Sequence, residues 1–497
     1  MERFKSKATH SVILQCAKAL NILLVSIPFA FVWCQYYSQY SQIHFGARGD
    51  FLLFALFLFV YTVLVHIYDG LYVSFYRISE MTYSQILSAA LSYFIAYIVV
   101  SLLGASLLNP LPMIGALAVS GILAALWCVV VRKQYYKKLI KRKVAVIYDA
   151  RERFETVIAQ SGLLEKYDID AVMHISEVMK DIECLEDMDE IFLSGIHSHE
   201  RNQIMKYCVT NGIRVYVIPR IGDEIIQNAK RVHLFHLPMM QIDRYNPSVY
   251  FIVIKRLFDI TASAIALVLL SPILLVTAFL IHKEDGGPVF YKQLRVGKDR
   301  KTFDILKFRS MRVDAEKFGA VKSTGDADPR ITKVGRIIRK CRIDELPQLI
   351  NILRGDMSIV GPRPERIENV EEYEAEMPEF ALRLQAPAGL TGYAQVYGKY
   401  NTTPYDKLLM DLHYIGNQSL WNDFKIILAT IRILFIPEST EGFTEEATSE
   451  EARKNLEISE PGSDFIKNPE YEDLSTMTEI LPAALPDAKG GQHVHAE

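Results

Sequence analysis

The chain has 497 residues, 50% of them hydrophobic and 23% charged, with mean hydropathy +0.12 and a formal net charge of −3. Half-apolar composition excludes a mainly disordered chain, the length suggests about three domains, and the positive hydropathy points to membrane segments. The small charge is a sum of unequal parts: Glu438–Glu497 holds 15 acidic and 4 basic residues, whereas Lys255–Glu345 holds 19 basic and 11 acidic ones.

In chain order, the first apolar run is Ser11–Cys34, with Lys18 near enough to one end to snorkel. Trp33, Tyr36, Tyr37 and Tyr40 follow as an interfacial belt. Phe51–Tyr68 is a second run. Met81–Val131 carries no charged residue over 51 positions, too many for one span and right for two. Asn109-Pro110-Leu111-Pro112 divides it. The pattern predicts four transmembrane helices in residues 1–134. No short apolar core with a small-residue cleavage site opens the chain, so a cleaved signal peptide is not expected. Arg3, Lys5 and Lys7 precede the first helix, and Arg132, Lys133, Lys137, Lys138, Lys141, Arg142 and Lys143 follow the fourth. The two outer loops hold only Arg48, so both ends of the bundle are expected in the cytoplasm. The six cysteines, at 16, 34, 128, 184, 208 and 341, have no metal-ligand spacing and suggest neither a disulfide framework nor a zinc site.

Residues 135–248 change to short β-rich runs between polar stretches. Val144–Tyr148, Ile169–His174, Glu190–Leu193 and Arg214–Ile218 read as buried parallel strands of a small doubly wound, Rossmann-like α/β domain. The turn after its first strand, Asp149-Ala150-Arg151-Glu152-Arg153, has no glycine. Side chains there would block the close backbone approach that a pyrophosphate needs, which argues for a structural or oligomerisation role over a nucleotide site.

Ile260–Ile281 is 22 uncharged residues, long enough to span. Three features favour a broken helix that enters one leaflet and returns, over residues 256–282. Ser271-Pro272 sits at the midpoint, where proline removes a donor and kinks the helix. Lys255 and Arg256 on one side, and His282 and Lys283 on the other, make both flanks basic. A true crossing would also carry the cationic window that follows out of the cell. The Ser271 hydroxyl can satisfy one carbonyl freed by the proline, which otherwise costs several kcal/mol in lipid. The alternative is a fifth span kinked at Pro272.

The chemical motifs follow: Gly287-Pro288-Val289-Phe290-Tyr291, Gln293-Leu294-Arg295-Val296-Gly297, Lys307-Phe308-Arg309-Ser310-Met311-Arg312, Asp344-Glu345-Leu346-Pro347-Gln348-Leu349, Gly361-Pro362-Arg363-Pro364 and Gly389-Leu390-Thr391-Gly392-Tyr393-Ala394-Gln395-Val396. Asp344 precedes a helix expected over Glu345–Leu353. Asp-Glu at such a place can be a simple cap, with Pro347 in the first turn. Its surroundings suggest more. A helix start favours a phosphoryl group, Arg339, Lys340 and Arg342 lie just upstream, and Lys307 and Arg309 share one face if their segment is a strand. An aspartate can attack phosphorus to form an acyl phosphate, and a neighbouring carboxylate can hold Mg2+, a hard ion bound by few carboxylates plus substrate phosphates. Arg363 between prolines is suited to bidentate phosphate recognition.

Residues 250–436 resemble the catalytic domain of the bacterial sugar transferases that move a phosphosugar onto a polyprenyl phosphate. Lys255-Arg256-x-x-Asp259, the broken helix, Asp-Glu-Leu-Pro-Gln-Leu and Gly-Pro-Arg-Pro occur together in family order. The four helices and middle domain are similar to the large members that initiate capsule, exopolysaccharide and O-antigen synthesis. The resemblance implies a monotopic α/β catalytic domain over 249–437 with a re-entrant membrane helix. It implies transfer of sugar-1-phosphate from a UDP-sugar to undecaprenyl phosphate with release of UMP, at a bacterial inner membrane with the soluble domains cytoplasmic. Family roles fall on Asp344 as nucleophile and Glu345 as Mg2+ ligand, with Lys307 and Arg363 near the nucleotide phosphates. Arg295, Arg309, Arg339, Asp411 and Asp423 are further support candidates, and a homodimer is implied too. No nucleic-acid partner is expected. The rivals are a membrane-anchored nucleotide-sugar dehydratase or epimerase, which would need the missing glycine-rich turn, and a non-enzymatic scaffold. The tail from 438 is acidic, poor in large apolar residues and expected to be disordered.

Overall fold

The computed structural model describes residues 2–41, 46–73, 76–138, 141–149, 158, 166–245, 247–313, 330–398 and 402–434. The acidic tail and positions 150–153 of the glycine-free turn lie outside them. Contacts divide the described residues into two compact units, one within Ile140–Ile218 and a second made of those in Met1–Leu139 and from Pro219 to Leu434. The segment Pro219–Ser248, expected in the middle domain, therefore groups with the bundle and catalytic part.

In the larger unit, α1 (Glu2–Val32), α2 (Ala47–Ile67), α3 (Ile78–Leu103) and α4 (Leu111–Lys138) pack together, close to the runs expected from the sequence. Val25, Phe29, Trp33 and Tyr37 recur every four residues and form one buried stripe. The bundle is inverted relative to a water-soluble one. Large apolar side chains such as Phe51, Phe59, Phe94 and Leu102 face outward. Polar ones meet inside: Asn21 donates to Gln85 (3.1 Å), and Ser120 to the Val25 carbonyl (2.8 Å). Lipid offers no hydrophobic force between helices, so small residues and internal hydrogen bonds hold such a bundle. Ser84, Ser88 and Ser92 of α3 are buried accordingly.

The smaller unit holds a four-stranded parallel sheet in the order β2-β1-β3-β4, from β1 (Arg142–Tyr148), β2 (Tyr167–His174), β3 (Glu190–Ser194) and β4 (Arg214–Val217). Alternation sends Ala145, Ile147, Ile191 and Leu193 to one core and Val144, Val146 and Phe192 to another, as expected of a sheet covered on both faces.

The rest of the larger unit is organised by α5 (Val249–Asp285), 37 residues or about 55 Å of helix. It ends at Gly286, whose φ of +70° suits glycine. The helix runs unbroken through Ser271–Pro272, where a break was expected. The reason is local: Pro272 lacks the N–H that would bond the Val268 carbonyl, and the Ser271 hydroxyl donates to that oxygen at 2.7 Å. Both halves of α5 rest on the same domain. Ala266 and Leu267 pack with Leu349, Ile352 and Met357, while Leu274, Ala278 and Ile281 pack with Phe308, Ile338 and Ile343. The other face, with Val268, Leu269, Leu275 and Phe279, is bare.

Against α5 lie the hairpin β5 (Phe290–Val296) and β6 (Thr302–Phe308), α6 (Lys333–Lys340), α7 (Gln348–Arg354), and the parallel pair β7 (Ser358–Val360) and β8 (Gly389–Thr391). Asn351 of α7 is fully buried, accepts from the Leu306 N–H (2.9 Å) and donates to the Asp304 carbonyl (2.8 Å), fixing α7 to β6. Two helices close the domain, α8 (Pro404–Gly416) and α9 (Leu420–Leu434). Near the end of α9, Arg432 donates to the Tyr68 carbonyl (3.1 Å) and stacks on Tyr76, both in the loop joining α2 and α3.

Candidate active site

Asp344 and Glu345 occupy a 3-10 turn, Ile343–Glu345, and α7 begins only at Gln348. The helix expected from Glu345 thus starts three residues later. Arg342 takes a left-handed conformation (φ 55°), at a cost of about 1 kcal/mol for a residue with a Cβ, and tightens the turn. Pro347 then stands at the α7 N-cap with no side-chain cap bond. Asp344 is the side-chain cap of neither element.

Glu345 is the better-held carboxylate. Lys307, at the end of β6, donates to Oε1 at 3.0 Å and Arg363 donates to the same oxygen at 2.9 Å. Burial alone would raise the Glu345 pKa, but Arg363 and Lys307 hold it well below the usual carboxylate range. Asp344 is the opposite case. Burial first, and then the charge of Glu345, push its pKa up against the pull of Lys307, Arg342 and Arg339. Its Oδ1 is buried without a hydrogen-bond partner among the described residues. One carboxylate is neutralised, and its neighbour keeps an oxygen uncommitted.

Arg363 is aimed by a clamped loop, four of whose carbonyls are taken. Val360 O accepts from Lys255 (3.1 Å) and Tyr414 (3.1 Å), and Pro362 O from the Gly389 N–H (2.9 Å). Arg363 O accepts from Arg383 (2.9 Å), and Pro364 O from Arg295 (3.2 Å). Behind the clamp, Arg383 is paired with buried Asp411 (2.7 Å), and Lys255 with Asp423, which also accepts from Tyr414 (2.8 Å). The Lys255-Arg256-x-x-Asp259 motif also gains a structural meaning. Arg256 holds the end of α7 through the carbonyls of Ile352 (2.6 Å) and Leu353 (2.9 Å), and Asp259 accepts from the Ile359 N–H (3.2 Å).

The structure therefore brings Asp344, Glu345, Lys307 and Arg363 together, with Arg339 acting on Asp344 through its charge. Arg295, Asp411 and Asp423 stand behind, as supports of the loop. Arg309 is elsewhere: β6 ends at Phe308, so strand alternation does not reach it, and it pairs with Asp285 at the end of α5. Sequence reasoning missed Arg383 and Asn351, whose roles lie in contacts between distant segments. A pocket beside the dyad is lined by Arg295, Ile305, Lys307, Gln348, Arg363 and Gly389.

An acidic pair set among cations, on a segment packed against a half-bare apolar helix, defines a membrane-associated site for an anionic group. Residues 250–437 match the family model described as "Bacterial sugar transferase". The chain is 40% identical over 275 residues to a UDP-N-acetylgalactosamine-undecaprenyl-phosphate N-acetylgalactosaminephosphotransferase of Aeromonas hydrophila, a match covering 55% of this chain and 62% of that protein. It is 43% identical over 190 residues to a UDP-glucose:undecaprenyl-phosphate glucose-1-phosphate transferase of Caulobacter vibrioides, covering 37% and 71% of the two. An exopolysaccharide production protein PSS of Rhizobium leguminosarum is 43% identical over 188 residues, 36% of this chain and 94% of that one. The chain belongs to the bacterial sugar transferase family, and it spans less than two thirds of the Aeromonas relative's length (62%).

Proposed function

We propose that the chain transfers a sugar-1-phosphate from a UDP-sugar to undecaprenyl phosphate, releasing UMP. The observation that carries this reading is the unpartnered Asp344 Oδ1 beside a Glu345 neutralised by Lys307 and Arg363. Asp344 attacks the sugar-linked phosphorus and forms an acyl phosphate, UMP departs, and the lipid phosphate then takes the phosphosugar from Asp344. Lys307 and Arg363 orient the diphosphate and stabilise charge on its oxygens. Arg339 adds positive charge on the approach to Asp344.

The donor set fits Mg2+ in a limited sense. Two adjacent carboxylates are present, and among the described residues no group of three or more His, Cys, Asp or Glu could hold a metal. A site of one or two carboxylates completed by substrate phosphates is the usual Mg2+ arrangement. Glu345 would hold the ion, which when bound would neutralise phosphate charge.

The placement proposed is a bacterial inner membrane, with α1–α4 spanning and α5 re-entrant. From Lys255 to Ile281, about 39 Å of helix, α5 keeps contact with one domain, which supports the latter, since a through-span would bury ~30 Å of that length in hydrocarbon. Purified protein with UDP-sugar and lipid phosphate tests the reaction. Asp344→Asn is expected to remove lipid-linked sugar and the acid-labile, base-labile phosphoenzyme while folding persists. Turnover near that of the wild type would overturn the assignment.

A further inference from the structure

The segment Pro219–Tyr245 precedes the matched family domain, yet it is fastened to that domain at two places. The first is a short helix, Ile221–Gln227, whose Glu224 is 5% exposed. The Glu224 carboxylate meets His413 Nδ1 of α8 at 3.5 Å. One turn on, Asn228 accepts from Asn417 (3.3 Å) and lies so close to Gly416 that a Cβ there would collide with its amide. The second is Tyr245. Its N–H donates to Gln385 (3.0 Å), its hydroxyl donates to Gln418, and its ring packs against the cluster of Val360, Tyr414 and Ile415. Between the two, Lys230–Leu234 pairs with Leu237–Gln241 in a two-stranded ribbon that is almost wholly exposed. The segment is a strap held at its ends.

Both ends converge on α8. Within four positions this helix sends Asp411 to Arg383 and Tyr414 to the Val360 carbonyl, two supports of the Arg363 loop, and His413 to the strap. A buried carboxylate needs an opposite charge, and Glu224 has one when His413 carries a proton. The bond to Glu224 raises the histidine's pKa, with burial acting against it. Glu224 acts on Tyr393 as well: burial first, and then that carboxylate, push the phenol up. Tyr393, with its ring 5.0 Å from that of His413, is the second titratable group facing the histidine, whereas Asp411 on the same helix is turned to Arg383.

We infer that Glu224 is a positioning residue of the transfer reaction: it holds His413 and so fixes α8, and with it the loop that aims Arg363. This rests on the transfer reading above. The support of the reacting groups then begins outside the matched residues 250–437. It also carries a pH dependence of definite sign. A histidine raised by its partner contributes its full hold below the ordinary histidine value, and the hold is lost as pH rises through the raised one. Above that point α8 is released from the strap while Asp344 and Glu345 are untouched, so kcat falls more than KM changes.

The test measures kcat and KM for UMP release by the full-length protein, with UDP-sugar, undecaprenyl phosphate and Mg2+, between about pH 5.5 and pH 8.5. Wild type, Glu224→Gln, His413→Gln and the double variant are compared. In Glu224→Gln, kcat at about pH 7 is expected to fall about threefold to tenfold with KM within about twofold, and the alkaline decline of kcat is expected to begin at lower pH than in the wild type. His413→Gln is expected to lose that titration. The double variant, in which two amides can bond to each other, is expected to be no slower than His413→Gln. Wild-type kcat and an unmoved profile in Glu224→Gln would overturn the inference. Losses that multiply in the double variant, or a fall in kcat with an unmoved profile, would overturn it too, by assigning Glu224 to the fold alone. Release of UMP by the wild type keeps the two readings distinguishable: with release intact, these results sink only the role of Glu224, and without release the transfer reading falls first.

Discussion

Both α3 and α5 are long, apolar helices in one chain, yet they solve different problems. α3 buries Ser84, Gln85, Ser88 and Ser92 inside the bundle, alongside Met81, Tyr93 and Val100, and turns Ile86, Phe94, Ile98 and Leu102 outward. α5 buries Lys255, Asp259 and Ser263 in its first half and Thr277 in its second, and ties Lys255 and Asp259 to the segment that leads into the Arg363 loop. A third of the most apolar window of α3 is buried, against 11% for α5. A helix surrounded by helices can be polar inside. A helix with lipid on most sides must be apolar nearly everywhere and carry its polar anchors where the protein meets it.

The largest effect that could break this contrast is topological. In a chain with its six cysteines replaced by serine, Ser106→Cys, between α3 and α4, is expected to react with an impermeant maleimide on intact cells, and Lys298→Cys, beyond α5, is not. Labelling of both would make α5 a span. Next comes stability. Lys255→Met leaves buried Asp423 with the Tyr414 hydroxyl but no counter-charge, which is expected to cost about 3–5 kcal/mol. Asn21→Leu in the bundle removes one internal hydrogen bond and is expected to cost only about 0.6 kcal/mol. Thermal unfolding in detergent ranks the two, and the reverse order would void the distinction. Arg383→Lys keeps the charge but cannot hold Asp411 and the Arg363 carbonyl at once. Turnover is expected to fall about tenfold, or roughly 1.4 kcal/mol, with less change in KM. The smallest effect belongs to Ser271→Ala, which frees the Val268 carbonyl and is expected to cost about 1 kcal/mol in the same unfolding measurement.

Much of this was legible in the sequence. The four strands of the middle domain fall within two residues of their expected starts, because period-two alternation and buried β-branched runs are strong local signals. The dyad, Lys307 and Arg363 stood out as charged residues in short motifs. The details lost are those that local pattern does not carry. The left-handed Arg342 moved the helix start, and the end of β6 at Phe308 separated Arg309 from Lys307. Arg383 and Asn351 stand out only when folding brings separate segments together. A lone arginine in a 3-10 segment gives no sign that it grips a carbonyl twenty residues upstream.

Ile343, next to Asp344, packs against the buried cluster that Ile281 of α5 forms with Phe308 and Ile338. With α5 in one leaflet, as proposed, that contact fixes the reacting carboxylate at a set height above the acyl chains. The acceptor's phosphate then meets it without leaving the headgroup plane. Encounter becomes a two-dimensional search, governed by the mole fraction of acceptor in the bilayer and not by its amount per volume. Diluting the membrane with inert phospholipid at constant total acceptor should therefore slow the second half of the reaction, while the first half, fed from water, keeps its pace.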